Sequence, residues 1–251
     1  YVCKMFSLLA GIGFLISSCT SKPEQTKKRP NIVLFYVDDL GWKDLGYQGN
    51  QFFETPHIDS FAKQGIIFSN AYANAPYSSP SRASLMTGMY TPRHKIYIPG
   101  PIERGPEWAR KFSAPKQLHH LDTGFVTIAE ALQNAGYVNA HIGKWHLGGD
   151  KYGPLNQGFD INIGGNASGK IYSHFSPYKN PDINDEKEDE YLTDRLTKEA
   201  IQFIGTNKHQ PFFLYLSHYA VHTPRQGKQR IIDKYRLKNK NTLNHYFDPV
   251  Y

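Results

Sequence analysis

Cysteine is nearly missing from this chain. Its two copies, Cys3 and Cys19, both precede the folded region, so the body can hold neither a disulfide framework nor a cysteine metal site. Long apolar runs are missing too. Residues 6–16, FSLLAGIGFLI, are too short to span a bilayer comfortably, and Gly11 and Gly13 weaken them as a helix. No internal repeat is visible. Acidic residues are the scarcer sign, 22 against 29 Lys and Arg, for a formal net charge of +7. A basic excess can favour nucleic acid, anionic membrane or small anionic substrates. Much of it lies at the ends, in Lys27, Lys28 and Arg29 and again in Lys228, Arg230, Lys234, Arg236, Lys238 and Lys240. A solvated linker and a solvated helix face account for those runs, and no nucleic-acid partner is expected. The 251 residues suffice for one domain with a sizeable core, or for part of a larger one.

What is present at the N-terminus reads as an export signal. Lys4 precedes the apolar run, which ends in Leu15, Ile16, Ser17, Ser18 and Cys19. This is similar to a bacterial lipoprotein signal, in which the cysteine is lipidated and becomes the new N-terminus. The expectation is a signal peptide over 1–19, a polar, Pro-containing tether over 20–29, and a membrane anchor through lipid on Cys19, in the periplasm or at the cell surface. An ordinary cleaved signal with an incidental cysteine is the alternative. The chain opens on Tyr1 rather than Met, which suggests an incomplete or misassigned start.

Beyond the tether, residues 31–37 (NIVLFYV) form a continuous apolar run expected of a buried strand in a mostly parallel sheet. Thr55 and Pro56 open a helix that Gly65 closes. Residues 66–72 are expected to form a second strand and 80–86 a helix. A capped helix over 127–134, ended by Gly136, precedes a strand over 137–142. Leu192, Leu196, Ala200 and Phe203 recur at helical spacing, and 212–216 read as another short buried strand. The stretch 99–120 looks like a surface excursion. Strands alternating with helices predict an α/β fold, a mostly parallel central sheet with helices on both faces.

Three patterns carry chemistry. Asp38 and Asp39 follow the first strand, where ligands gather in open α/β sheets. Adjacent carboxylates repel unless a cation or protons compensate, and oxygen donors suit Ca²⁺ or Mg²⁺; a capped turn is the plainer reading. The second pattern runs Ser78-Ser79-Pro80-Ser81-Arg82 and on through Leu85-Met86-Thr87-Gly88. Locally it reads as a helix start, with Ser79 as N-cap and Pro80 at the first helical position. The third, Gly143-Lys144-Trp145-His146-Leu147-Gly148, follows a strand, and Lys144 and His146 would face one side of an extended chain. His218 and His222 lie just beyond the last strand, His222 before Thr223-Pro224.

Together, and in this order from about residue 29 to 224, these motifs resemble the type I sulfatases of the alkaline phosphatase superfamily, in the serine-type subgroup. That resemblance implies the family's fold over 30–251. It implies oxidation of Ser78 to formylglycine by a maturation enzyme, and a Ca²⁺ site (Mg²⁺ as a second choice) using Asp38, Asp39 and the modified Ser78. It further implies that Arg82 neutralises the nucleophile, Lys144 contacts nucleophile and sulfate, His146 assists proton removal, and His222 protonates the leaving oxygen. The hydrated aldehyde would offer two hydroxyls, one to attack sulfur and one whose deprotonation expels sulfate. The segments 55–65 and 154–160 resemble family landmarks of structural character, with His218 in a supporting place. The expected activity is hydrolysis of sulfate esters, on sulfated carbohydrates by analogy. The alternatives are a phosphonate or phosphodiester hydrolase of the superfamily, and an inactive glycan-binding or relic protein. The family also carries a later Asp-Asn pair and a further lysine. No Asp-Asn-Gly follows Pro224, so the expectation is a truncated N-terminal catalytic part, incomplete at its C-terminus, with a weak metal site.

Overall fold

The computed structural model describes residues 29–103 and 105–242. The expected signal peptide, Cys19 and nearly all of the tether lie outside the described residues. Four strands build the sheet: β1 (Ile32–Val37), β2 (Val138–Gly143), β3 (Ile161–Ile163) and β4 (Phe212–His218). Their order is β1-β4-β2-β3, all parallel. The register sets Val37 beside His218 and Gly143 beside Ser217, so three strands end at one edge. All seven residues of the central β4 are buried, as a parallel strand covered on both faces requires.

The helices are α1 (Pro56–Ala62), α2 (Ser78–Thr87), α3 (Thr91–His94), α4 (Ile128–Asn134), α5 (Leu192–Asn207) and α6 (Gln229–Thr242), and both faces of the sheet are covered, one by α5 and the other by α2 and α4. On one face Leu192, Leu196, Ala200 and Phe203 of α5 pack on Ala140, Ile142, Leu214 and Leu216. On the other, Ala83 and Met86 of α2 and Ala129 of α4 join Trp145, Phe159, Phe213 and Tyr215. Each large side chain buried here contributes roughly 1.5–3 kcal/mol. α4 starts with a capping box: Glu130 N–H donates to Thr127 Oγ1 at 3.1 Å, and Thr127 N–H donates to Glu130 Oε2 at 2.7 Å. None of the described helices is long and apolar enough to cross a membrane.

Four sequence expectations need correction. β1 is not buried on both faces: it lies at the sheet edge, with Val33 and Phe35 50% and 55% exposed. Only Ile32, Leu34 and Tyr36 pack inward, because no described helix covers the opposite face. Residues 66–72 form no strand. Ile66 and Phe68 stay 85% and 77% exposed; an apolar run needs a neighbouring ladder to become a strand, and none reaches it. α2 begins at Ser78 rather than after a Ser79 cap, with Tyr77 in the cap position and extended. Pro80 then falls in the first turn, where a missing N–H costs nothing because those donors have no acceptor within the helix. The basic stretch after Lys228 includes α6, and it is not wholly solvated: Lys238 Nζ reaches Glu54 Oε1 at 3.0 Å and Lys234 also pairs with Glu54. The 55–65 landmark is structural as expected, since Thr55 Oγ1 and Tyr47 N–H both donate to Asp59 Oδ1 at 2.8 Å.

Candidate active site

Every site residue read from the sequence lies at the carboxyl ends of β1, β2 and β4 or at the start of α2. Asp38 follows β1 directly, and its backbone is laced to the segment after β4. Its N–H donates to the Ala220 carbonyl at 3.0 Å, and its carbonyl accepts from Val221 N–H at 2.7 Å. That lacing brings His222 beside Asp39, whose Oδ2 lies 3.9 Å from His222 Nε2. Gly143, at φ +111°, lets β2 close on β4: a Cβ there would sit 1.8 Å from the Ser217 carbonyl oxygen. The next residue, Lys144, donates its N–H to that same carbonyl at 2.7 Å.

Asp38 is the electrostatic centre. It is buried, its Oδ2 bonded to Lys144 Nζ and its Oδ1 3.3 Å from Arg82 Nη2. Burial pushes its carboxyl upward, and Arg82 and Lys144 more than reverse this, so it sits below its ordinary value. Lys144 Nζ also donates to Ser78 Oγ at 3.2 Å. One ammonium thus bridges the first residue of α2 and the carboxylate after β1. Burial, then the Arg82 charge, lowers the lysine's own pKa.

Arg82 departs from its expected role. Its guanidinium makes no bond to Ser78. It donates to the Lys144 carbonyl at 2.7 Å, to Tyr215 OH at 3.3 Å and to Ser217 Oγ, and it lies over the Tyr36 ring. Pointing back along the helix toward the sheet, it is a fully buried anchor that fixes Asp38 and Lys144. His146 is also reached differently from the expectation. It does not share an extended segment with Lys144; its φ is +60°. Its N–H donates to the Asn166 carbonyl at 3.0 Å, and its ring lies against Gly169, where a Cβ would approach within 2.2 Å. Burial, then Lys144 and Arg82, lowers its pKa to about 4, so the ring is neutral near pH 7.

Ser78, Asp39, His146 and His222 line one cleft of about 550 Å³, with Tyr77 and Lys170. The sequence reading did not single out Lys170 or Tyr77, since neither stands in a recognisable motif. His174 was missed for the same reason: it is buried, and its Nε2 meets the His222 carbonyl at 3.2 Å. His218 is structural as expected, buried with its ring against Phe35. One oxygen each from Asp38 and Asp39 and one nitrogen from His222 lie within 4.8 Å of one another. Two adjacent carboxylates fit a hard divalent cation, which would share Asp38 with Lys144 and Arg82.

Buried neutral histidines set an acid limit on stability. His141, His146 and His218 all fall from 6.5 to about 4 on folding, burial being the largest cause for each. Between these values the unfolded chain binds protons that the folded chain does not, so stability is full above pH 6.5 and declines toward pH 4. Asp38, whose folded pKa is lowered from 3.8, adds its loss only below that range. Urea midpoints should therefore hold level from pH 7.5 to about 6.5 and fall from there to pH 4.5. A flat profile would show that these rings take up protons in the folded protein over the same range as in the unfolded chain.

The family model described as Sulfatase matches residues 30–250. The chain is 35% identical over 246 residues to an N-acetylgalactosamine-6-sulfatase of Mus musculus, covering 88% of this chain and 44% of that protein. It is 30% identical over 314 residues to an N-acetylgalactosamine-6-O-sulfatase of Bacteroides thetaiotaomicron, covering 96% of this chain and 58% of the relative. Among solved structures it is similar to Ps i-CgsB in complex with k-i-k-neocarrahexaose, with a TM-score of 0.65 and 32% identity, over 83% of this chain and 49% of that one. The chain thus spans about half the length of the proteins it matches.

Proposed function

The chain belongs to the sulfatase family, and from that premise we propose that its protein hydrolyses sulfate esters of carbohydrates at Ser78. One observation carries the reading: the Lys144 ammonium joins Ser78 Oγ to Asp38 in a cleft that also holds His146 and His222. In this reading a maturation enzyme converts Ser78 to formylglycine, whose hydrate supplies the nucleophilic oxygen that a plain serine hydroxyl lacks. Export and a lipid on Cys19 complete the proposal.

The chain's own residues then divide the work. The start of α2 presents backbone N–H groups and a partial positive charge to an anion at Ser78. Lys144 holds negative charge on the nucleophile and on the sulfate. Arg82, buried behind it, holds Lys144 and Asp38 in place. His146, neutral near pH 7, can take a proton as sulfate departs. His222 lines the cleft just beyond β4 and would protonate the leaving alcohol. A divalent cation, Ca²⁺ or Mg²⁺, would be held by Asp38, Asp39 and the modified Ser78, and would supply charge stabilisation to the sulfate oxygens.

The test uses the matured full-length protein with 4-nitrophenyl sulfate, the matching phosphate esters, and N-acetylgalactosamine 6-sulfate. Sulfate esters should be preferred by about 100-fold or more in kcat/KM, and EDTA should remove turnover that Ca²⁺ or Mg²⁺ restores. Preference for a phosphodiester or phosphonate would transfer the site to that chemistry. Full turnover in EDTA would remove the metal from the proposal.

A further inference from the structure

His174 has no part in the chemistry outlined above, yet it is buried and bonded to a residue that has one. It lies on the segment that runs on from Ser168, Gly169 and Lys170 at the cleft, and three hydrogen bonds fix it. Its N–H donates to Gln226 Oε1 at 2.7 Å. Its carbonyl accepts from Leu192 N–H, at the start of α5, at 2.8 Å. Its Nε2 lies 3.2 Å from the His222 carbonyl. A carbonyl can only accept, so Nε2 carries the ring hydrogen. Nδ1 has no hydrogen-bond partner among the described residues. The one polar task of this ring is therefore to hold His222 by its backbone.

That bond falls where it governs a side chain. After β4 the chain turns over residues 219–226, with His222 N–H donating to the Tyr219 carbonyl at 3.0 Å. The His222 ring is only partly buried, so packing alone does not fix it. Its Nδ1 lies 2.9 Å from the Thr223 carbonyl and 3.2 Å from Thr223 Oγ1. The carbonyl again can only accept, so Nδ1 keeps its hydrogen. Nε2, 3.9 Å from Asp39 Oδ2, is then the atom that gains and gives a proton. The carbonyl that His174 holds belongs to the peptide joining His222 to Thr223, and the ring bonds to the next carbonyl along. A tilt of the first peptide moves the second carbonyl, and Nε2 moves with it. Gln226, bonded to His174 N–H, and the Tyr191 hydroxyl, which donates to the Gln226 carbonyl at 3.4 Å, brace the far end of the same turn.

We propose that His174 is a positioning residue for sulfate-ester cleavage: through the His222 carbonyl it holds the His222 ring where Nε2 meets the leaving oxygen. This rests on the sulfatase reading, in which His222 protonates that oxygen. Misplacement then weakens one step only. A sugar alkoxide needs the proton in order to leave, whereas 4-nitrophenolate is stable as an anion and leaves without it.

The test compares His174→Phe, His174→Gln and His222→Ala in the matured full-length protein, on N-acetylgalactosamine 6-sulfate and 4-nitrophenyl sulfate. Phenylalanine keeps the ring and loses the donor; glutamine sets an amide N–H near the place of Nε2. His174→Phe should lose about tenfold in kcat on the sugar ester, with KM within about twofold, and stay within about twofold on 4-nitrophenyl sulfate. His174→Gln should restore the sugar-ester kcat to within about threefold of the parent. His222→Ala should show the same split more strongly, about 100-fold on the sugar ester. Equal losses on both esters in His174→Phe, an unchanged sugar-ester kcat, or a glutamine variant as slow as the phenylalanine one would overturn the proposal. If a urea melt shows His174→Phe unfolded, His174→Asn is read in its place, since its amide stops at the position of Nδ1. A parent protein that releases no sulfate, or a His222→Ala protein without the split, removes His222 as the acid. Placement is then judged without turnover, by the His222 ring resonance, assigned from its loss in His222→Ala. It should shift or broaden in His174→Phe and hold in His174→Gln, and a resonance unmoved in both overturns the proposal.

Discussion

Ser78→Ala is expected to lower sulfate release by roughly 10⁴-fold or more while leaving the fold intact. The loss is large because the variant removes the only atom from which the nucleophile is made, and neither Lys144 nor His146 can replace it. Stability should change by less than about 1 kcal/mol, since Ser78 Oγ makes a single bond, to Lys144 Nζ at 3.2 Å, and the ammonium keeps Asp38 as its partner. The checks are sulfate release, a urea melt, and the intact mass of the parent peptide, which should be two hydrogens lighter than serine predicts. A parent peptide of unmodified mass that still turns over would defeat the formylglycine proposal. Retained turnover in the alanine variant would defeat Ser78 altogether.

Arg82→Leu is expected to have the largest effect on stability, about 3–5 kcal/mol. The guanidinium is 0% exposed and carries four bonds to Asp38, Ser217, Tyr215 and the Lys144 carbonyl. Leucine fills much of the volume yet leaves Asp38 with one cation and a buried carbonyl and two hydroxyls without this donor. Domains hold only about 5–15 kcal/mol in all, so the melting temperature should drop on the order of 10 °C. Arg82→Lys should recover part of this, as it keeps the charge but loses the planar fork. A melt of Arg82→Leu that matches the parent would mean that the buried cluster contributes little to folding.

The sheet was legible wherever an apolar run met a clear boundary. Residues 212–216 and 137–142 read as strands because their cores are continuous and a helix signal brackets them. β3 was not read, since three residues following a Gly-Phe-Asp turn carry no period. Ile66 to Tyr72 read as a strand on composition alone, yet a strand exists only by pairing, and a sequence does not display its partner. The site was legible in its residues and less so in its geometry. Asp38, Asp39, Ser78, Lys144, His146 and His222 were found by motif, and they do converge. What motif spacing could not show is direction: Arg82 turns inward to the sheet, and His146 reaches the cleft by a left-handed turn stabilised by a loop twenty residues later. Lys170 belongs to no pattern and emerges only when its loop is folded against the cleft.

The strand order has a consequence in time. β1 and β2 share no ladder; β4, the last strand described, lies between them and joins both. A ribosome that has made β1, α2 and β2 has therefore not yet made the element that unites them. About 140 residues separate Ser78 from the end of β4, which at usual synthesis speeds is roughly 7–30 seconds. Through that interval Ser78 is in a chain whose Lys144 and Asp38 cannot yet close around it, and the maturation enzyme proposed above would meet its side chain before the sheet does.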